Sequence, residues 1–491
     1  MTRTIVVGAG LGGLSAAIEL QAAGHNVLVL EAASEPGGKA GVAHHEGVTF
    51  DTGPSVLTMP DVFESVFRTA GSSLADEVEL LNAQEFVYRW PDQQQVTFYP
   101  DKHRTLASIQ EVFGSRAREE FNGFLEYAET IWSAAAPHFV YGSAPDITTM
   151  FKLGPKAFKM LPKVDGLRSM RRAIRSRIKN PQLRNICERY ATYNGSDPRQ
   201  APATLNCVAH VELGMGWHGV RGGVAAVVDA LTSCAERLGV EFRYHARVAR
   251  ILHDRSVAGV RLESGENFAA RQVVVNADVA HLIRDLLPAK TSLEPREPSM
   301  SGYTMVVKAR RRDRPAHQVL FPHDYDAEFS DIFDEDRPPS DPTLYLCAQE
   351  KAHGRVGWDR HEPIFVMANA PAEPSTGARE SRAWKRIRTT VWRRLVASGL
   401  VDKSDEIVWE RTPTDLAARF PGSRGSIYGN ASNSRTAAFQ RPANRVKEVP
   451  GLYLASGSAH PGGGMPLCVL SGRAAAICAQ EDAAGRLRAV G

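Results

Sequence analysis

At 491 residues the chain exceeds what one hydrophobic core comfortably fills, so two domains are expected. A net charge of +4 with 43% hydrophobic residues is ordinary for a soluble globular protein and gives no footing for nucleic acid as a partner. No apolar run approaches the ~18 residues that span a bilayer, and the six cysteines show neither a C-x-x-C pair nor metal-ligand spacing, which leaves them as buried thiols in a reducing compartment.

The first element is a β-branched run, Ile5 to Val7, entering Gly8-x-Gly10-x-x-Gly13. An Ala- and Leu-rich helical segment follows, closed by Gly24, and then a second apolar strand, Val27 to Leu30, ends on Glu31. In this order the three glycines have separate tasks: Gly8 makes the tight turn, Gly10 lets backbone approach a pyrophosphate, and Gly13 lets helix pack on strand. The helix N-terminus presents unpaired N–H groups and the positive end of its dipole to the phosphates. Glu31 stands 18 residues beyond Gly13, where a carboxylate accepts ribose hydroxyls and disfavours a ribose phosphate. Such a fingerprint serves NAD and FAD alike. Gly37-Gly38-Lys39-Ala40, a second glycine pair just past the acid, favours FAD, as in two-dinucleotide-binding flavoproteins. Because the first strand lies so near Met1, the expectation is a cytoplasmic protein without a signal peptide.

From Phe151 to Asn180 ten Lys or Arg residues face one acid, Asp165, so this stretch carries +9 and the remainder of the chain −5. Leu167, Met170, Ile174 and Ile178 recur there at helical spacing, flanked by Arg168, Arg171, Arg172, Arg175 and Lys179, up to Asn180-Pro181. Two readings fit: a basic helix on an anionic membrane surface, or a solvated helix with its stripe on the core. Next, Gly214 to Gly219 spells the glycine fingerprint a second time, but it follows His210 to Leu213 rather than a clean strand. It also puts Trp217 where backbone should meet phosphate; a substrate-domain strand turning back is the simpler reading.

Gly222 to Leu238 reads as a helix and Val240 to Tyr244 as a strand. Val248 to His253 and Val257 to Leu262 form a hairpin, and Gln272 to Val275 is a buried strand ending in Asn276-Ala277-Asp278. Short strand-like runs at Tyr303 to Val307, Thr343 to Cys347 and Ile364 to Met367 precede an amphipathic helix from Glu380 to Ala397. Gly451 to Gly457 is a last strand, His460 to Pro466 a glycine-rich loop, and Cys468 to Gln480 the closing helix. The fold class is therefore α/β. A discontinuous, Rossmann-like FAD domain takes residues 1–90, 205–290 and 415–491, and a mixed α+β substrate domain with the basic, membrane-facing helical insertion takes 91–204 and 291–414.

With the N-terminal fingerprint, Phe50 to Thr58 (FDTGPSVLT) and Gly451 to Pro466 (GLYLASGSAHPGGGMP), the chain resembles the bacterial-type phytoene desaturase family of carotenoid desaturases from end to end. Asp51 to Phe67, and Arg189 to Gly195 with Ala201 to Thr204, resemble the hydroxycarotenoid 3,4-desaturase branch more than the phytoene branch. The resemblance implies an FAD-dependent enzyme that takes hydride and proton from an acyclic carotenoid, most naturally at C-3,4 of a 1-hydroxycarotenoid, with phytoene desaturation as the alternative. It implies that Gly8, Gly10, Gly13, Glu31, Gly38 and Lys39 hold the dinucleotide, that Val248 offers backbone to the adenine, and that Gly457, Gly464, Met465 and Pro466 adjoin the flavin ring. The terminal loop departs from the commoner family wording at Ser458-Ala459 and Leu467-Cys468.

The cofactor would do the hard chemistry and the protein the orienting. His138, His210, Glu212 and His460 are polar candidates for acid–base help, and none is singled out as catalytic. Oxygen or a quinone is the expected electron acceptor. Moving about 20 methylene equivalents into water costs on the order of 16 kcal/mol at ~0.8 each, so the enzyme should dock peripherally where its substrate lies; this favours the membrane reading of residues 151 to 180. Two rivals share the scaffold. An amine or porphyrinogen oxidase is one, for which Cys468 would be a covalent flavin anchor; a flavin-free escort protein is the other, which would lack the intact glycines and acid.

Overall fold

The computed structural model describes residues 3–145, 162–287, 293 and 296–490. The strands Arg3–Val7, Asn26–Leu30 and Gln272–Val275 are apolar without alternation because both faces of their sheet are covered. They form a parallel five-stranded sheet in the order Glu241–Arg243, Asn26–Leu30, Arg3–Val7, Gln272–Val275, Leu452–Leu454. The helices Leu11–Ala22, Ala225–Arg237 and Met465–Val490 cover one face, and an antiparallel meander, Val248–His253, Val257–Leu262 and Asn267–Ala269, packs its apolar side on the other. Helices Leu11–Ala22 and Met465–Val490 approach at glycines: a Cβ on Gly472 would lie 2.2 Å from the Gly12 carbonyl oxygen. Ser15 Oγ seals the contact by donating to the Val469 carbonyl at 2.9 Å.

The second unit is built on a seven-stranded mixed sheet in the order Glu406–Arg411, Ser301–Arg310, His361–Ala370, Leu344–Ala348, His317–Leu320, Phe86–Arg89, Gln95–Phe98. Helices Lys102–Phe113, Ser115–Phe139, Met170–Arg177, Pro181–Arg189 and Cys207–Leu213 gather at its Phe86 end around Phe98, Phe121 and Phe124. Helix Ser381–Ala397 covers the sheet with Trp384, Ile387, Val391 and Leu395.

Two expected boundaries shift. Strand Phe86–Arg89 pairs in parallel with His317–Leu320, so the first crossing into the substrate unit precedes residue 86, not 90. Residues 207–213 form a helix packed on Ser115–Phe139, so the return crossing follows 205. The repeated glycine spelling at 214–219 links that helix to the short strand Trp217–Val220, which pairs with Leu57–Thr58 and Leu80–Leu81. Trp217 is buried and donates to the Gln84 carbonyl at 3.0 Å, which makes the spelling structural.

The basic helix is also corrected. Of the expected stripe, Met170, Ile174 and Ile178 are wholly buried in the substrate core, whereas Leu167 lies before helix Met170–Arg177 and is exposed. Arg171 and Arg175 pair with Glu188, at 2.8 and 3.0 Å, and with Asp326, at 2.7 and 3.2 Å. Glu188 is 1% exposed, and burial pushes its carboxyl up despite the two arginines. Periodicity placed the helix, yet two of the cations that looked free for lipid, Arg171 and Arg175, are bound to acids outside it, and Arg168 pairs with Asp165. This helix faces protein; the basic residues 151 to 161 lie outside the described residues. Among the described residues no helix is long and apolar enough to cross a membrane.

Candidate active site

A cavity of about 1290 Å³ opens where the two units meet. Gly8, Gly10, Glu31, Gly38, Lys39, Val248, Gly457, Gly464, Met465 and Pro466 all line it. Gly13 does not; it sits behind the turn, where a Cβ would lie 2.0 Å from the Gly8 carbonyl oxygen. Gly8 has φ +98°, a region that only glycine enters cheaply, and its N–H binds the Leu30 carbonyl at 2.8 Å. Leu11–Ala22 begins at Gly10 with no side-chain cap, so its first turn keeps N–H groups for an anion.

Three predicted residues carry structural duties as well. Both Glu31 oxygens accept backbone N–H bonds, from Ala9 at 2.7 Å and Ala33 at 2.8 Å, which fixes the carboxylate at the end of its strand with a lone pair on each oxygen to spare. Lys39 Nζ donates to the carbonyls of Ser426 at 2.8 Å and Ile427 at 3.0 Å, tying the C-terminal segment to the glycine pair. Gly10 N–H donates to Asn276 Oδ1 at 3.0 Å, and Asn276 Nδ2 donates in turn to the Ala455 carbonyl. Asn276 was not among the expected site residues. The clue was its position, a polar residue at the carboxyl end of a buried parallel strand, where open α/β sheets place their ligands.

Asp51, from the FDTGPSVLT motif, is another. Its carboxylate accepts Val224 N–H at 3.0 Å, caps helix Ala225–Arg237 from outside, and pairs with Arg355 at 2.9 Å. The loop after it, Thr52 to Ser55, lines the cavity. Of the four acid–base candidates, Glu212 and His460 reach the cavity, whereas His138 and His210 do not. His460 Nε2 lies 2.9 Å from the Gly142 carbonyl, an acceptor, so that nitrogen carries hydrogen and has no lone pair for a substrate proton. Burial lowers the His460 pKa, which keeps the ring neutral. Cys468 faces the cavity beside Gly457, and burial raises its thiol pKa.

Whether these residues suit a dinucleotide is decided by charge. Lys39, Arg411 and Arg441 all line the cavity, and among the described residues none has a carboxylate oxygen within 4.0 Å. Among the described residues Arg441 makes only long bonds, to the Gly457 and Asn430 carbonyls at 3.3 Å, to Asn194 Oδ1 at 3.4 Å and to Ser432 Oγ at 3.5 Å. Desolvation pulls Arg411 and Arg441 each down to about 10. Uncompensated buried cations are costly unless an anion joins them, and a pyrophosphate with its flavin ring meets that need.

The protein-family model for flavin containing amine oxidoreductases matches residues 11–351. The hydroxyneurosporene desaturase of Rubrivivax gelatinosus is 34% identical over 99% of this chain and 95% of its own. The chain belongs to the bacterial-type family of carotenoid desaturases. This FAD-dependent oxidoreductase is also 31% identical to the zeta-carotene-forming phytoene desaturase of Myxococcus xanthus, over 96% of the chain and 92% of that protein. In fold, it superimposes on an oxidoreductase from Methanosarcina mazei with a TM-score of 0.62 at 15% identity, covering 98% and 100% of the two chains. In this cavity Gly8, Gly10 and the first turn of Leu11–Ala22 would hold the pyrophosphate, Glu31 the ribose, and the Gly457 to Pro466 loop the flavin.

Proposed function

We propose that this desaturase acts on C-3,4 of an acyclic 1-hydroxycarotenoid, docked on the cytoplasmic face of a membrane. The supporting observation is the continuity of the cavity: it runs from the glycine turn to a compartment walled by Trp132, Ala135, Val208, Val211, Phe365 and Met367. A long polyene needs such an apolar slot that reaches the flavin loop. Leu167, 78% exposed, and Phe439, 45% exposed, also line the cavity and so mark its mouth. An apolar rim of this kind lets the substrate pass from lipid without entering water.

When bound, FAD supplies the two-electron acceptor for a hydride. The protein holds the adjacent C–H bonds in line, excludes water through the apolar walls, and lets the polyene stabilise charge on the carbon that gives up hydride; a proton then leaves the neighbouring carbon and the double bond forms. Oxygen or a quinone afterwards takes the electrons.

Holoenzyme incubated with liposomes holding phytoene, lycopene or 1-hydroxylycopene should lengthen the chromophore of the hydroxylated carotenoid, seen as a red-shifted product spectrum. Conversion of phytoene but not of the hydroxylated compound would reverse the choice of substrate. For the membrane, replacing both Leu167 and Phe439 by Asp should lower liposome co-sedimentation about tenfold, since each charge must leave water to follow the rim into lipid. Unchanged sedimentation of this flavin-loaded variant would place the docking surface elsewhere.

A further inference from the structure

Arg189 closes helix Pro181–Arg189 and points into the cavity wall while only 8% exposed. Among the described residues its guanidinium makes one hydrogen bond, from Nη1 to Tyr193 Oη at 3.2 Å. Among the described residues no carboxylate oxygen lies within 4.0 Å of it. The Tyr193 and Tyr345 rings stand 5.1 and 5.9 Å from its central carbon. A guanidinium has five N–H groups, so four here have no acceptor among the described residues. Beside Arg189, Glu212 is 1% exposed and accepts from Tyr190 Oη at 2.9 Å and from Tyr193 Oη at 2.5 Å. Glu212 and Tyr193 both line the same cavity.

We infer that Arg189, Tyr193 and Glu212 form the receptor for an alcohol at the end of the carotenoid chain and so determine substrate specificity. This rests on the substrate reading above and adds the residues that would enforce it. An alcohol suits the cluster on both counts: its oxygen accepts from the idle Arg189 N–H groups, and its hydrogen goes to a free lone pair of Glu212 or of Tyr193 Oη. A carboxylate would be repelled by Glu212, and a ketone has no hydrogen to give it. A hydrocarbon end would bury the Arg189 donors unpaired, and sites built to bind a hydroxyl discriminate strongly against the analogue that lacks it. The cluster lies on the cofactor side of the cavity: Gly195, next to this segment, abuts Tyr428, which in turn abuts Gly463 of the flavin loop.

The test compares flavin-loaded wild type with Tyr193→Phe, Arg189→Met and Arg189→Lys on lycopene and 1-hydroxylycopene in matched liposomes, reading kcat and KM separately and flavin absorbance for each protein. Wild type should prefer the hydroxylated substrate. Arg189→Met and Tyr193→Phe should each cut that preference at least tenfold, chiefly through KM of the hydroxylated substrate, and Arg189→Lys should restore part of it. Should the substitutions slow both substrates by one common factor, the cluster is only structural and the inference fails while the substrate reading stands. A wild type that ignores the hydroxylated carotenoid overturns both. Where Arg189→Met loses flavin, Tyr193→Phe, which deletes one oxygen, decides.

Discussion

Gly13→Ala should yield a colourless protein. The added Cβ would lie 2.0 Å from the Gly8 carbonyl oxygen and 3.2 Å from Asn276 Cβ, and the nearer atom belongs to backbone that cannot swing aside. Relief requires moving helix Leu11–Ala22 away from strand Arg3–Val7, which also displaces the N–H groups of the first helical turn from the pyrophosphate. Overpacking of this sort costs about 1–3 kcal/mol in stability. The loss in FAD affinity should be larger, on the order of 100-fold or ~2.7 kcal/mol, because binding needs the turn and the helix end together. Gly123→Ala is the control: its Cβ meets nothing within 4 Å in helix Ser115–Phe139, so that variant should stay yellow and melt no lower than wild type. Flavin absorbance after gel filtration reads the outcome, and a yellow Gly13→Ala protein would show that the turn does not govern cofactor retention.

The cofactor half could be read from the sequence because its determinants are local. Gly8, Gly10, Gly13 and Glu31 lie within one strand–helix–strand unit, and the burial of Gln272–Val275 is evident in its own four residues. The meander, too, is legible, its hairpin running Val248–His253 and Val257–Leu262 with the bounds the sequence predicts. Side-chain pairs between distant segments left no such trace. Nothing near Lys39 signals that its Nζ will hold the Ser426 and Ile427 carbonyls, and nothing near Arg171 announces Asp326. For that reason the sequence leaves the basic helix with two readings, lipid or core: periodicity reports which face is apolar, but not whether lipid or protein meets it. The same blindness hid Arg189, which reads in sequence as an ordinary last-turn cation and in the fold as an unpaired one.

Asp51→Ala tests how the two units are held around the cavity. One carboxylate, 4% exposed, accepts Val224 N–H at 3.0 Å at the head of helix Ala225–Arg237 and pairs with Arg355 at 2.9 Å. Its backbone exchanges two further bonds with the Gln349 amide, both at 2.9 Å, so the substrate unit grips the motif strand directly. Gly223, with φ +93°, is required here because a Cβ would lie 2.2 Å from Asp51 Oδ2. Removing the carboxylate leaves the Arg355 charge and the helix N–H groups without an acceptor, a change that costs about 3–5 kcal/mol when a buried pair is broken from one side. Arg355→Ala should cost nearly as much, and the double variant less than the sum, since the second removal deletes the stranded charge. Urea melts of the flavin-loaded proteins measure this; additive losses, or a loss below about 0.5 kcal/mol for Asp51→Ala, would mean the pair is not coupled. If the coupling is found, Thr52 to Ser55 are held in the cavity wall by a joint that spans both units.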